Sequence, residues 1–388
     1  MKEASASLIF WTRAGQGQSM AEVQLDNVTK IYPSSVRAVA ECNLTIPDGQ
    51  CTVLIGPSGC GKTTMLRMIA GLESPTSGTI RIGDRVVNDV PPRDRNVAMV
   101  FQDSTLYPHI SVEKNLRFPL ERRRDTRWWH GLLPGSSRER RRDETAAIDE
   151  KVRNAAAQVA ITECMRRLPR ELSGGERQRV GLGRAIVREP DVLLLDEPLS
   201  NLDAHLRLAM RTELQSLHHR IGTTVVHVTH DQEEAMALGD VLVVMKDGWI
   251  HQIGTPDEIY RHPADRFVAS FIGAPQMNMI QGNVQSGRFH ADSGAVLSAP
   301  SQAADGPAVL GIRPESIELT TGNGEKAIIE GIERFGDRMD VHIKTLQTRM
   351  TARCEASPLR VGDVCTIRIA DQSLHLFDVD AKGRRIGV

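Results

Sequence analysis

The chain has 388 residues, which exceeds one ordinary domain and predicts two or three. Its 48 basic and 49 acidic residues nearly cancel, so we expect no nucleic acid among its partners, because dedicated nucleic-acid-binding proteins carry a strong basic excess. Every apolar run is shorter than the roughly 18 residues that cross a bilayer, which predicts a soluble protein that meets a membrane only through a partner.

Residues 1–22 have a mixed composition without a hydrophobic period, and they lack the apolar core of a secretory signal. We predict an N-terminal extension here, or translation that starts at Met20 rather than Met1. Six scattered cysteines without a CxxC pair predict reduced, mostly buried thiols in a cytoplasmic protein.

A strand pattern ending in TVLI runs directly into GPSGCGKT, residues 56–63, which fits the phosphate-loop pattern G-x-x-x-x-G-K-[ST]. Glycines let backbone N–H groups face a phosphate, and the positive end of the following helix adds to the attraction. Lys62 supplies a fixed cation for the β and γ phosphates, and the Thr63 hydroxyl is a candidate ligand for Mg²⁺. The run TTMLRMIA then predicts a helix that Gly71 stops. Taken alone, the pattern leaves a chance glycine turn open.

The stretch ERRRDTRWWHGLLPGSSRERRRDE, residues 121–144, combines eight arginines and five acidic residues with two tryptophans and a PGSS turn. One interpretation is a solvated insertion whose charges keep it in water. The other is a docking arm in which Trp128 and Trp129 anchor a partner or a lipid surface.

Two motifs follow this stretch. LSGGERQRV, residues 172–180, predicts a second anion-seeking helix start, although Ser173 as an ordinary helix cap explains it equally well when it is taken alone. DVLLLDEP predicts a buried strand that ends in two carboxylates. Asp196, at the end of this strand, is a candidate carboxylate ligand for Mg²⁺, and Glu197 is a candidate general base for the attacking water.

Further strand patterns, TVVHVTH and VLVVM, alternate with helical segments and predict an α/β domain with a largely parallel sheet. KDG at residues 246–248 predicts a turn into a hairpin with WIHQIG. Beyond about Ala274, short apolar segments separated by Gly, Asp, Asn and Pro predict a small all-β barrel or sandwich.

In their order and spacing, the motifs of residues 23–240 resemble those of ATP-binding-cassette (ABC) ATPases, whose signature loop corresponds to LSGGE. The resemblance implies that Gln102, in AMVFQDSTLYPH, reaches Mg²⁺ and the attacking water and touches a membrane partner. It implies that His230 contacts the γ-phosphate and that adenine stacks on Tyr32. It also implies that the loop SNLD, which ends at Asp203, crosses a dimer interface.

The site implied by this resemblance has four groups of residues. The ATP-binding residues are Tyr32, Gly56, Pro57, Ser58, Gly59, Cys60, Gly61, Lys62, Thr63 and Thr64. The catalytic residues are Glu197, His230 and Gln102, and the Mg²⁺ ligands are Thr63, Gln102 and Asp196. The signature residues that reach the ATP of a second subunit are Leu172, Ser173, Gly174, Gly175, Glu176 and Gln178. Glu176 stands where the family more often has glutamine, a substitution that the family tolerates.

LYPHISVEKNL, GTPDEIYRHPADRF and GIRPE resemble importer ATPases of the carbohydrate-uptake class, above all those for glycerol-3-phosphate and, almost as closely, maltose-type importers. The resemblance implies a P-loop ABC ATPase domain, with a mostly parallel sheet and antiparallel β and helical subdomains, followed by an all-β OB-like domain. The implied parts are an extension (1–22), a nucleotide-binding domain (23–254) with a helical subdomain (about 103–180) lengthened by an insertion (about 121–144), linker helices (255–279) and a C-terminal β regulatory domain (280–388).

Members of this class hydrolyse ATP with Mg²⁺ as homodimers bound to two transmembrane permease subunits, which receive solute from an extracytoplasmic binding protein. We therefore expect a peripheral subunit on the cytoplasmic face of the inner membrane that energises import of glycerol-3-phosphate or a sugar. Polyamine, iron or another small solute stays open, because importers of those solutes share the C-terminal domain. A non-transport ABC ATPase is an alternative of a different class, although such proteins usually carry two cassettes or a long coiled coil. A phosphotransferase is a third alternative, which the signature loop and His230 disfavour.

Overall fold

The computed structural model describes residues 21–102, 106–123, 136–294, 296–298, 304–320, 325–345, 348–370 and 373–386. Nearly all of the predicted extension lies outside these residues, so the choice between Met1 and Met20 stays a prediction. Trp128 and Trp129 also lie outside the described residues, and the docking-arm hypothesis is not tested.

Strands and helices alternate through the first part of the chain. Its strands are β1 (Val23–Ile31), β2 (Arg37–Ile46), β3 (Cys51–Ile55), β4 (Ser77–Ile82), β5 (Arg85–Val86), β6 (Val97–Val100), β7 (Val192–Asp196), β8 (Thr224–Thr229), β9 (Val241–Lys246) and β10 (Trp249–Gly254). Its helices are α1 (Lys62–Ala70), α2 (Val112–Glu121), α3 (Ser136–Gln158), α4 (Gly174–Ile186), α5 (Ala204–Ile221), α6 (Gln232–Leu238), α7 (Pro256–Arg261) and α8 (Arg266–Phe271).

A six-stranded sheet of order β10–β9–β3–β8–β7–β6 forms the centre of this part. Its strands are parallel except β10, which pairs antiparallel with β9 as the predicted hairpin. Strands β3 and β7 are buried along their whole length, as expected for parallel strands covered on both faces, and this explains their unbroken apolar runs. Ile55 pairs with Thr229 and Asp196 pairs with Val228, so the segments that follow β3, β7 and β8 meet at one edge of the sheet.

A second, antiparallel sheet of order β2–β1–β4–β5 packs with the central sheet around α1. The apolar side that the sequence predicts for this helix, Met65, Leu66, Met68 and Ile69, is fully buried. Burial of one such side chain stabilises the fold by about 1.5–3 kcal/mol, so α1 and the glycine loop at its start are firmly anchored.

The last part of the charged stretch is helical, because α3 begins at Ser136, and Pro134 and Gly135 of the predicted PGSS turn lie outside the described residues. The residues that follow, RERRRDETAA, are mostly strong helix formers, which accounts for the difference. Glu139 and Arg140 are exposed, as expected of a solvated run. Ile148 and Val152, further along α3, are buried in the core that α3 shares with α2 and α4.

The last part of the chain is built of antiparallel strands. They are β11 (Asn278–Gln285), β12 (Arg288–Ala291), β13 (Val296–Ser298), β14 (Gly306–Ile312), β15 (Ile317–Thr320), β16 (Glu325–Arg334), β17 (Arg338–Thr345), β18 (Thr348–Glu355), β19 (Val364–Ile369), β20 (Leu374–Phe377) and β21 (Arg385–Ile386). They form sheets of order β13–β12–β11–β14–β20–β21 and β15–β19–β16–β17–β18, which enclose one apolar core. The predicted fold class, an α/β domain followed by an all-β domain, is confirmed.

Within the described ranges, no helix is both long and apolar enough to cross a membrane.

Candidate functional site

The glycine loop depends on two positions where a side chain has no room. A Cβ on Gly56 would lie 2.1 Å from the Met245 carbonyl oxygen. Gly61 has a φ of 107°, and its Cβ would lie 2.1 Å from the Ala38 carbonyl oxygen. The loop therefore closes tightly over β9 and β2, and its backbone leads directly into the first turn of α1.

Lys62 is 5% exposed, and its ammonium lies inside this loop. It donates hydrogen bonds to the carbonyl oxygens of Gly56, at 2.7 Å, and Pro57, at 2.9 Å. Its remaining close partner is the Cys60 sulfur at 3.7 Å, a weak acceptor. Burial raises the pKa of the Cys60 thiol, so this sulfur stays neutral and does not neutralise the ammonium.

Arg95 supports the C-terminal end of α1, a role that no sequence motif indicates. Its buried guanidinium donates to the carbonyl oxygens of Met68, at 2.8 Å, and Ile69, at 3.0 Å. A positive charge at a helix C-terminus is favourable, because the last carbonyl groups carry partial negative charge. The adjacent turn at Gly71 leaves no space for a Cβ, which would lie 2.5 Å from Arg95 Nε.

Thr63 and Asp196 meet at the shared edge of the sheet, with Thr63 Oγ1 donating to Asp196 Oδ1 at 3.0 Å. Asp196 is 6% exposed, and its burial raises the pKa of its carboxyl group. A hydroxyl and a carboxylate on adjacent elements are hard oxygen donors of the type that Mg²⁺ prefers. The donor set at this position therefore fits Mg²⁺.

Glu197 and His230 also come together, as the sequence alone could not establish. Glu197 has a φ of 45°, a left-handed conformation uncommon for a residue with a side chain, and its N–H donates to the Val228 carbonyl oxygen at 3.0 Å. In this conformation, its carboxylate Oε2 lies 3.2 Å from Nδ1 of His230. Backbone strain of this kind is concentrated at functional sites.

A buried polar pair lies beneath the His230 segment, and no sequence motif indicates it. His227 and Glu234 are almost completely buried, and His227 Nε2 lies 2.7 Å from Glu234 Oε1. Because the partner is a carboxylate, Nε2 donates in this contact. Thr229 Oγ1 donates to the other carboxylate oxygen at 2.9 Å, so Glu234 ties the end of β8 to the first turn of α6.

The signature segment begins α4. Ser173 caps the helix by accepting from the Glu176 N–H at 3.2 Å, while the Glu176 carboxylate accepts from the Ser173 N–H at 2.7 Å. This backbone hydrogen bond lowers the pKa of the Glu176 carboxyl. A Cβ on Gly174 would lie 3.6 Å from Leu202, so the segment packs beside the start of α5. In the described part of the chain, no hydrogen bond or ion pair joins residues 172–176 to the glycine loop of the same chain.

The remaining predicted residues are more dispersed. Gln102 is exposed, and its carbonyl oxygen accepts from Asn201 Nδ2 at 3.4 Å, which places it beside the SNLD loop. Asp203 caps α5 by accepting from the Leu206 N–H at 2.9 Å. Tyr32 is half-buried, with Lys30 Nζ at 5.1 Å from its ring centroid.

The surface segment LYPHIS is held by one buried side chain, Asn115. Its amide accepts from the Tyr107 N–H at 2.8 Å and donates to the carbonyl oxygens of Tyr107, Ile110 and Ser111 at 3.1–3.2 Å. Asn115 is 0% exposed, so a polar side chain inside α2 fixes a loop on the outer surface.

Comparisons with known proteins identify the family of the chain. The chain matches the ABC transporter family over residues 39–200, the MalK OB fold domain over 273–317 and the TOBE domain over 310–377. It is 46% identical over 368 residues to the sn-glycerol-3-phosphate import ATP-binding protein UgpC of Jannaschia sp. (strain CCS1), covering 95% of this chain and 100% of the relative. It is 43% identical over 378 residues to UgpC 3 of Agrobacterium fabrum, with 95% and 100% coverage.

A solved structure has the same fold over part of the chain. It is cbiO1 from Clostridium perfringens, described as part of the ABC transporter complex cbiONQ, with a TM-score of 0.54 and 25% sequence identity. The match covers 63% of this chain and 92% of that chain. With its motifs, its fold and its full-length relatives, the chain belongs to the family of ABC transporter ATP-binding proteins, in the group that carries MalK-type OB and TOBE domains.

Proposed function

We propose that this chain is the subunit that binds and hydrolyses ATP to drive an importer of glycerol-3-phosphate. The observation that carries the proposal is the identity of 46% to a glycerol-3-phosphate import protein along that relative's entire length. In the proposed assembly, two copies form a homodimer on the cytoplasmic face of the inner membrane. They bind two transmembrane permease subunits, which take the solute from an extracytoplasmic binding protein.

We assign phosphate binding to the glycine loop, residues 56–64, and to the start of α1. Lys62 supports this role because, among the described residues, the third partner of its buried ammonium is the weakly accepting Cys60 sulfur, so one strong donor remains for a phosphate oxygen. We assign adenine stacking to Tyr32, which directly follows β1 and is partly exposed.

We assign Mg²⁺ to Thr63 and Asp196, with Gln102 as a further ligand. When bound, Mg²⁺ would neutralise negative charge on the phosphates. This assignment is supported by the two oxygen donors, which lie 3.0 Å apart where Thr63 Oγ1 donates to Asp196 Oδ1.

For hydrolysis, we assign Glu197 as the general base. Its carboxylate accepts a proton from water as the water oxygen attacks the γ-phosphorus, and the bond from phosphorus to the ADP oxygen breaks. His230 donates a hydrogen bond to the γ-phosphate and also orients Glu197, which is supported by their separation of 3.2 Å. The reaction requires Glu197 and His230 in these positions, because phosphoryl transfer is catalysed by positioning and charge stabilisation.

We propose that the site is completed by a second copy, whose residues 172–176 and Gln178 face the ATP held by the first. Supporting this, none of the hydrogen bonds or ion pairs of residues 172–176 in the described chain reaches its own glycine loop. The N-terminus of α4, capped by Ser173, presents backbone N–H groups suited to a phosphate. Asp203, beside this segment, is assigned to the dimer contact.

The test uses the chain together with the membrane subunits that purify with it, reconstituted into vesicles with the cognate binding protein. Radiolabelled glycerol-3-phosphate should accumulate inside in an ATP-dependent manner, and glycerol-3-phosphate should stimulate ATP hydrolysis. Maltose is the matched competitor, because the chain also matches the MalK OB fold domain. Accumulation of maltose without glycerol-3-phosphate would contradict the proposed solute while leaving the ATPase assignment in place.

A further inference from the structure

The segment that carries His230 is attached to the linker that leads into the C-terminal β region. Helix α6 begins at Gln232, two residues after His230. The side-chain oxygen Oε1 of Gln232 accepts a hydrogen bond from the backbone N–H of Gly273 at 3.0 Å. The second linker helix, α8, ends at Phe271 and is followed by the buried Ile272 and then by Gly273. The Gln232 side chain therefore connects the start of α6, next to His230, to Gly273, which is 41 positions further along the chain.

Gly273 is fixed from its other side by Arg313, which follows β14 of the C-terminal region. Gly273 has a φ of 115°, and a Cβ there would lie 2.7 Å from Arg313 Nη1. Arg313 is 3% exposed, and its guanidinium donates to the carbonyl oxygens of Ala269, at 3.1 Å, Ile272, and Tyr260, at 2.8 Å. It also lies 4.1 Å from the centroid of the Tyr260 ring. Arg313 thus binds the ends of both linker helices.

The linker helix α8 is buried against both parts of the protein. Val268 and Ile272 belong to the core of the nucleotide-binding part. Ala269, which directly follows Val268, packs with Val309 and Phe377 of the C-terminal sheet. A displacement of the C-terminal region would therefore displace α8 and Gly273 with it, because close-packed interiors transmit such shifts.

The first turn of α6 is rigid enough to pass a displacement on to His230. Asp231 caps the helix by accepting from the Glu234 N–H at 3.1 Å. Glu234 is itself bound to His227 and Thr229 of β8. Gln232 lies inside this tied turn, with His230 next to its cap.

We propose that Gln232 is a positioning residue for His230, and that Gly273 and Arg313 make the placement of His230 depend on the position of the C-terminal β region. This inference rests on the proposed role of His230 in hydrolysis. It names a route through which the C-terminal region regulates the ATPase: the region moves α8, α8 moves Gly273, and the Gln232 side chain moves the segment opposite Glu197.

The test begins with three variants of the full chain. Gln232→Met keeps the length of the side chain and removes the acceptor, whereas Gln232→Glu keeps an acceptor for the Gly273 N–H. Gln285→Met, at the exposed end of β11, is the matched control. The measurements are kcat for ATP hydrolysis, the Kd for ATP, the thermal unfolding midpoint and hydrogen exchange of the Gly273 amide without nucleotide.

We expect Gln232→Met to lower kcat and to accelerate Gly273 exchange about fivefold each, the effect of one net hydrogen bond, with the Kd for ATP within twofold of wild type. Gln232→Glu should keep kcat and the exchange rate of Gly273 near their wild-type values, and Gln285→Met should change neither quantity. Arg313→Met should reproduce the loss of kcat, and in combination with Gln232→Met it should add little, since both break one connection.

An unchanged kcat in Gln232→Met, or a loss that Gln232→Glu does not restore, would overturn the proposal. A parallel loss of kcat, affinity and thermal stability would also overturn it, because that pattern marks a merely structural residue. A wild-type chain without ATPase activity would count instead against the proposed function. In that case Gly273 exchange, which requires no nucleotide, would still decide whether the contact between Gln232 and Gly273 exists in solution.

Discussion

Replacement of Glu234 by alanine tests how the end of β8 is held to the first turn of α6. Its carboxylate makes two buried contacts, 2.7 Å to His227 Nε2 and 2.9 Å to Thr229 Oγ1. The other ring nitrogen of His227, Nδ1, has no hydrogen-bond partner among the described residues. After the substitution, neither nitrogen of a completely buried imidazole would be bonded by the described protein groups.

The structure sets the size of this effect. Removing one member of a buried, hydrogen-bonded pair costs about 3–5 kcal/mol, because the remaining polar groups stay desolvated. For a domain of this size, each kcal/mol lowers Tm by about 2–4 °C, so we expect Glu234→Ala to lower Tm by about 6–20 °C. The assay is differential scanning calorimetry of the nucleotide-free full chain.

The neighbouring residue provides a matched control. Glu233 lies on the same helical turn, its side chain is 74% exposed, and it forms one ion pair, with Arg211 at 3.6 Å. Such surface pairs contribute about 0–1 kcal/mol, so Glu233→Ala should move Tm by at most a few degrees. Equal shifts for the two alanine variants would refute the reasoning that the buried pair anchors β8 to α6.

Four further substitutions test other parts of the site. Glu197→Gln should retain ATP binding and lower kcat about 10²–10⁴-fold, because an amide cannot accept the proton; near-normal hydrolysis would exclude it as the base. Lys62→Ala should weaken ATP binding in equilibrium titrations, because the only cation inside the glycine loop is lost, and an unchanged Kd would contradict that assignment. Asn115→Asp should impair coupling to the membrane subunits, because a carboxylate would face three carbonyl oxygens, while the ATPase activity of the isolated chain persists. For Glu176, the lowered carboxyl pKa means that its stabilisation is present above the ordinary value of 4.5 and is lost as the pH falls through the folded value. Glu176→Gln should therefore flatten the Tm profile in that acidic range, and an unchanged profile would show that this carboxyl is not responsible.

Much of the fold was accessible from the sequence because it depends on local patterns. The unbroken apolar runs of β3 and β7 reflect burial on both faces of a parallel sheet, and the KDG turn predicts the pairing of β9 with β10. The glycine spacing at residues 56–61 likewise follows from backbone crowding at Gly56 and Gly61. Such signals lie within a few neighbouring residues, so no knowledge of the tertiary structure is needed to find them.

The contacts between distant residues were not accessible in the same way. A histidine inside a strand pattern, such as His227, gives no indication of whether it faces a carboxylate or an apolar neighbour. The same holds for Arg95 at the end of α1 and for Arg313 at the linker, whose partners are backbone carbonyl groups that every sequence contains. Backbone partners leave no side-chain signature to recognise.

The phosphate loop, the acidic strand end and the order of elements can be predicted from residue type and spacing along the chain. The contacts of Glu197 with His230 and of Gln232 with Gly273 become visible only in the folded chain. Both contacts depend on how strands and helices far apart in the chain are packed side by side. Packing of that kind is fixed by the shape of the whole core, and a local pattern does not specify it.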